Sequence, residues 1–252
     1  MKLLQKNWEF GVLGLDNYKS DSKFKSYYDY IKNNHSSLDG DIIEIGVYKG
    51  YSLLATALLL KELGSNKRVY GFDSFTGFPP ILNENDSFEK FDKLFNEAKI
   101  SKSHLDDHKK LLEYANFNSK FNKVSPLNIS TSVDFSNTSK ALLEKKIEFL
   151  ELDNIILVEG DFSKTMISDN FKENKFFACL FDCDLYESYK TGLNFVWKKL
   201  VTNSFVFFDE YYSLKFPGAR IAVDEFLLNK NQRLLMNKSN SADFERWTLI
   251  KK

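Results

Sequence analysis

The chain holds only two cysteines in 252 residues, too few for a disulfide framework or a cysteine-based metal centre. Cys179 and Cys183 flank a strand end and read as reduced packing residues. Charge of one sign is also lacking: 35 Lys and Arg balance 35 Asp and Glu. No global field therefore favours nucleic acid or an anionic membrane surface. No apolar run is long enough to cross a bilayer, and Met1 to Trp8 lack the apolar stretch and small-residue cleavage site of a signal peptide. A cytoplasmic protein with no membrane or nucleic-acid partner is expected. An apolar share of 43% suits one α/β domain over 1–252 with an insertion.

What is present is an alternation of short apolar runs and helical patterns. Ile42 to Ile45, Arg68 to Phe72, Ile155 to Val158, Phe176 to Phe181 and Ser204 to Phe208 read as strands. Helical patterns cover Ser22 to Asn34 and Leu53 to Leu63, with Gly64 as a C-cap; Leu193, Val196, Trp197 and Leu200 form the stripe of a later helix. This rhythm predicts a doubly wound, mostly parallel sheet. Gln232 to Asn237 and Phe244 to Lys251, separated by the turn Ser239 to Ala242, predict a C-terminal antiparallel hairpin. Between Pro80 and Ser139 the rhythm breaks. Residues 81–138 read as a lid or insertion with helices at Ser87 to Ala98 and Ser101 to Ala115, covering the ligand cleft or an oligomer face, or equally as a mobile surface insertion.

Each predicted strand ends in polar chemistry. Asp41-Ile-Ile-Glu-Ile-Gly-Val-Tyr-Lys-Gly-Tyr-Ser52 reads as strand, nucleotide-binding turn and helix, in which Gly46 and Gly50 let backbone approach a ligand and Glu44 accepts a ligand hydroxyl or amine. Asp73, followed by Ser74, ends the second strand where an acid suits a ribose diol, or caps the following turn. Asp161, after Gly160, suits an adenine amine or a helix cap. Asp182, Asp184, Asp209 and Glu210 end two further strands, and converging carboxylates of this kind fit a hard divalent cation. Helix capping accounts better for Asp184 than for Asp182. His104 and His108, four apart on one helical face of the insertion, are candidate bases or packed histidines.

In order, Ile43-Glu-Ile-Gly-Val-Tyr-Lys-Gly50, Phe72-Asp-Ser-Phe-Thr-Gly-Phe-Pro79, Gly160-Asp-Phe162, Asp182-Cys-Asp-Leu-Tyr-Glu-Ser188, Phe208-Asp-Glu-Tyr211 and Ala222-Val-Asp-Glu-Phe226 resemble the motifs of class I S-adenosylmethionine-dependent methyltransferases. More narrowly they resemble the macrocin O-methyltransferase (TylF-like) family, across residues 38 to 228. The resemblance implies a donor site of Glu44, Gly46, Tyr48, Gly50, Ser52, Asp73, Ser74, Gly160, Asp161 and Asp182. It implies Mg2+ at Asp182, Asp209 and Glu210; with Asp182 as a catalytic residue, the base is sought in His108 or His104 from their shared helical face. The acceptor would be a small-molecule or nucleotide-linked sugar hydroxyl, as in surface-glycan and natural-product precursors; a homodimer is expected from the aromatic surface of the insertion. Two departures stand out. Glu210 takes the place of the family's second aspartate, and the insertion is unusual in a region that supplies the family's substrate contacts and base; a lysine base is absent too, since Leu185 lies where related catechol-type enzymes carry one.

Three alternatives stay open at this point. One is transfer to an amine or a phenolic hydroxyl. A second is a nicotinamide-dependent oxidoreductase, against which the spacing Gly46 to Gly50 argues. The third is a non-catalytic binding module of the same fold, working through its insertion.

Overall fold

A computed structural model describes residues 3–238 and 244–252; the predicted turn Ser239 to Ala242 lies outside them. Its sheet has seven strands: β1 (Asp41–Ile45), β2 (Val69–Asp73), β3 (Ile155–Glu159), β4 (Phe176–Phe181), β5 (Leu200–Phe208), β6 (Leu234–Lys238) and β7 (Glu245–Ile250). Their spatial order is β3-β2-β1-β4-β5-β7-β6. The first five are parallel, and β7 runs antiparallel between β5 and β6. The predicted α/β fold with a terminal hairpin is what forms. The strand order reverses between β1 and β4, which places a ligand crevice beyond their carboxyl ends.

Strand periodicity of two divides the core. Ile42, Leu180 and Phe207 face one layer, with α1 (Asn7–Leu13), α2 (Lys25–Asn34) and α3 (Tyr51–Glu62). Ile43, Ile45, Phe181 and Phe208 face the other, with α8 (Tyr186–Trp197) and α9 (Pro217–Leu227). Because helices cover both faces, β4 is buried at every position and reads as an unbroken apolar run. Leucine and alanine favour α3 intrinsically, and it is buried continuously from Ser52 to Leu60 because it lies beneath the crevice with neighbours all round. Leu63 caps it, and Ser65 N–H closes on the Leu60 carbonyl at 3.0 Å.

The insertion folds as α4 (Glu89–Asn96) and α5 (Lys102–Asn118), joined through Phe91, Leu94, Ile100 and Leu105. Ser101 caps α5, its Oγ accepting the His104 N–H at 3.1 Å. Val124 and Ile129 then pack on Leu185 and Phe216, tying the segment to the loops that end β4 and β5. Next come α6 (Lys140–Phe149), capped by Ser139, and the single turn α7 (Phe162–Thr165).

Three elements differ from the sequence expectation. Short α1 and polar α6 carry weak apolar stripes, with Phe10 and Leu143 as their buried residues, and were not predicted. Leu200 opens β5 opposite Phe176 instead of extending the stripe of α8, because the chain turns at Lys198 and Lys199.

Candidate active site

The turn after β1 is held by protein, not shaped for a ligand alone. Gly46 has φ +91°, and a Cβ there would sit 1.9 Å from the Asp182 carbonyl oxygen; one at Gly50, φ +81°, would sit 2.4 Å from Leu143 Cδ1. Glycine is required because β1 passes hard against the end of β4 and α3 starts hard against α6. That corrects the expectation that both serve ligand approach: Gly46 lines the cleft, whereas Gly50 is absent from its wall. The Asp73 carboxylate braces the turn, Oδ2 accepting the N–H groups of Val47 at 2.7 Å and Tyr48 at 2.8 Å, and Oδ1 that of Phe75 at 2.7 Å.

Glu44 does not reach the cleft. It is fully buried, on the α3 side of β1, where its Oε1 accepts the Ser52 hydroxyl at 2.8 Å and its Oε2 has no hydrogen-bond partner among the described residues. Burial raises its pKa well above the carboxylate range, and the charges of Asp182 and Asp73 add to that against the Ser52 bond. Its expected direct contact with a ligand is therefore replaced by support of Ser52, which does line the cleft.

Asp73 and Ser74, and across from them Gly160 and Asp161, form the wall at the ends of β2 and β3. Asp161 also caps α7, Oδ1 accepting the Ser163 N–H at 2.7 Å, and its bonds to Ser163 lower its pKa. Tyr48 stands on the same side, its hydroxyl donating to Asn137 and its ring edge-on to Phe135 at 5.2 Å.

Asp182, Asp209 and Glu210 converge on the opposite wall, each offering an oxygen within 4.8 Å of the others. Lys23 Nζ lies 2.5 Å from Asp209 Oδ2 and 3.8 Å from Asp182 Oδ2, and Arg246 Nη1 lies 3.9 Å from Asp209 Oδ1. Neither basic residue carries a local sequence signal; both arrive from outside the strand-end motifs. Burial raises the pKa of Asp182 and Glu210, with the neighbouring carboxylates adding to it. At Asp209 burial acts the same way, but attraction to Lys23 and Arg246 outweighs it and the pKa falls. The hard oxygen donors fit a divalent cation such as Mg2+, and Asp209 Oδ1, buried without a hydrogen-bond donor among the described residues, fits as a ligand atom. Asp184, at φ +60°, lies beside the cluster with its N–H 3.3 Å from Glu210 Oε2. It does not cap α8; the Asp86 carboxylate does, accepting the Tyr186 N–H at 2.8 Å.

The two histidines are not in the cleft wall, which corrects their expected placement as bases. His104 Nε2 lies 2.9 Å from the Ser213 carbonyl and His108 Nδ1 lies 2.8 Å from that of Leu214. A carbonyl only accepts, so those nitrogens carry the protons. His108 stacks on Phe91 at 3.9 Å and His104 lies 4.2 Å from the Tyr212 ring. Burial lowers both pKa values, and the apolar stripe of α5 that carries them faces the β5–α9 loop. They fasten the insertion to that loop, whose other side lines the cleft.

The turn, the β2 and β3 ends and the acidic cluster all border one cleft of about 1580 Å³. Comparison with solved structures shows the same fold. CalS11, a calicheamicin methyltransferase, is 21% identical at TM-score 0.62, covering 97% of this chain and 80% of that one. Its apo form, described as a TDP-rhamnose 3'-O-methyltransferase, is 20% identical at TM-score 0.54, covering 97% and 81%. The O-methyltransferase NovP is 16% identical at TM-score 0.59, covering 90% and 79%. An O-methyltransferase from Bacillus cereus, in complex with SAH, is 12% identical at TM-score 0.51, covering 99% and 93%. No curated protein matches the sequence significantly. The methyltransferase domain family, however, matches residues 43–211, the span from the β1 turn to the acids after β5. The chain belongs to that methyltransferase family.

Proposed function

We propose that the enzyme is an O-methyltransferase of the TylF-like type, acting on a sugar hydroxyl of a small-molecule or nucleotide-linked acceptor. The observation that carries this reading is the single cleft bordered on one side by the braced turn and Asp73, and on the other by Asp182, Asp209 and Glu210. The neighbour of the same fold described as a TDP-rhamnose 3'-O-methyltransferase supports the acceptor class. Donor contacts are assigned to Gly46, Tyr48, Ser52, Asp73, Ser74, Gly160, Asp161 and Asp182. The insertion 81–138 is assigned as the cover of the acceptor side, since Leu111, Ser130 and Phe135 contribute to the wall.

In the reaction a hydroxyl oxygen attacks the donor methyl in line with the departing sulfur. The C–O bond forms as the C–S bond breaks, the sulfonium charge is neutralised, and the hydroxyl proton passes to water in the open cleft. The chain's task is chiefly positioning. Asp73 holds the Val47–Tyr48 backbone in place, and the acids beyond β4 and β5 hold a positive charge next to the reacting hydroxyl. Asp182, Asp209 and Glu210 would hold Mg2+, whose chemistry when bound is to polarise that hydroxyl and ease its deprotonation.

Calorimetric titration of the metal-stripped protein with S-adenosylhomocysteine, beside Asp73→Ala, tests the donor site. Saturable binding that the variant loses is expected, followed by methylation in a screen of nucleotide sugars. No binding by the folded wild type would discard the assignment. Transfer to catechols or amines but no sugar would move the acceptor to the phenolic or amine class.

A further inference from the structure

Lys23 lies outside the span that matches the family, in the segment before α2, yet its ammonium reaches the centre of the acidic cluster. Its backbone position is set by the core. The next residue, Phe24, is fully buried against Phe207 with ring centroids 5.3 Å apart, two residues from Asp209. From there the Lys23 stem crosses the Phe24 ring, placing Nζ 4.5 Å from its centroid, 2.5 Å from Asp209 Oδ2 and 3.8 Å from Asp182 Oδ2.

We infer that Lys23 is the resident counter-cation of the acidic cluster, and that its ammonium and a divalent ion occupy the cluster as alternatives. The inference rests on the divalent-cation reading of Asp182, Asp209 and Glu210 proposed above. Mg2+ bonds carboxylate oxygens at about 2.1 Å, so an ion on Asp209 Oδ2 would lie no more than about 4.6 Å from the ammonium that shares that oxygen. An ion using Asp209 Oδ1 instead would stand between Lys23 and Arg246, which approaches that atom to 3.9 Å. Repulsion between cations this close, on a partly dry wall, opposes joint occupancy. The side chain has an exit, being 35% exposed on the cleft wall and carried on a flexible stem. Because such coupling is reciprocal, metal entry would release Lys23 to solvent, and the N-terminal segment would set the metal concentration at which the enzyme loads.

Titration of the EDTA-stripped full chain with Mn2+ tests this in wild type, Lys23→Met and Lys23→Arg. Lys23→Met removes the charge at similar length and is expected to bind Mn2+ about ten-fold or more tightly than wild type, with Lys23→Arg no tighter than wild type. Equal or weaker binding by a folded Lys23→Met overturns the inference, as does no binding by any of the three. The wild type gives a second reading free of folding effects. Acetylation of Lys23, followed by mass spectrometry, is expected to speed up as Mn2+ is added; a rate indifferent to saturating Mn2+ overturns the inference too. Titrating S-adenosylhomocysteine into the same samples keeps the two readings apart. Donor binding retained alongside a failed metal arm discards only the Lys23 exchange, whereas donor binding lost in wild type discards the methyltransferase site itself.

Discussion

The Asp86 carboxylate accepts the Tyr186 backbone N–H at 2.8 Å, joining the insertion to the first turn of α8 across 100 residues. Asp86 is 1% exposed, and burial pushes its pKa up to about 6 from 3.8, against the Tyr186 bond that lowers it. Since the folded pKa is the higher one, the folded state binds the extra proton. The associated stability is complete below about pH 4 and is lost as the pH rises through 6. Asp86→Asn keeps an oxygen acceptor and removes the titration. It is expected to be more stable than wild type near pH 7, by up to about 3 kcal/mol, with the advantage vanishing near pH 4. Urea denaturation of both proteins across that range checks this, and parallel curves would reject it.

His108 is expected to matter for holding the insertion rather than for proton transfer. His108→Leu keeps the packing volume but strands the Leu214 carbonyl, for a loss of about 1–3 kcal/mol. Turnover by the folded fraction is expected to persist; a folded, stable variant without turnover would return the imidazole to the chemistry. The pH dependence is opposite in sign to that of Asp86. Burial depresses both histidines below 6.5, so the stability they contribute is present above that value and is lost as the pH falls through the lowered pKa. A fall in the hydrogen-exchange protection factors of α5, taken relative to the intrinsic exchange rate at each pH, as the solution is acidified below pH 6.5 is the measurable sign.

These two contacts also mark where sequence reading stops. Strands whose two faces are both covered must be apolar throughout, so β1, β2, β4 and β5 were legible, as were the acids that follow them. The burial of Glu44 was not, since a residue one position from a strand end faces the cleft or the helix layer according to a register that pattern does not specify. Lys23 and Asp86 act across more than 90 residues, on Asp209 and Tyr186, and each sits in an unremarkable polar run. Cysteine burial was legible, because Cys179 and Cys183 fall within apolar strand-end context and both are free and buried.

Gly46→Ala is expected to be among the most damaging small substitutions in the chain. The added methyl would meet the Asp182 carbonyl oxygen at 1.9 Å, and φ of +91° is itself strained for alanine. Both effects act on the β1–β4 switch point, so a destabilisation of about 3 kcal/mol or more is expected, with loss of donor binding. A soluble Gly46→Ala protein that takes up S-adenosylhomocysteine like wild type would show that the turn can yield.

Tyr189 explains why a glutamate serves at position 210. The hydroxyl of this fully buried tyrosine donates to Glu210 Oε2 at 2.7 Å, an anchor on α8 that the longer side chain reaches. Glu210→Asp withdraws the carboxylate by one methylene and leaves the hydroxyl only the Phe181 carbonyl at 3.3 Å. A cost of about 1–3 kcal/mol is expected from a buried donor left poorly paired. Tyr189→Phe should destabilise less at low pH, where burial has already protonated Glu210 and the carboxylate needs the donor least. If Glu210→Asp with Tyr189→Phe recovers much of the loss seen in Glu210→Asp alone, the two side chains are coupled as described. Strictly additive losses in that double-mutant cycle would mean that Glu210 is held by something other than Tyr189.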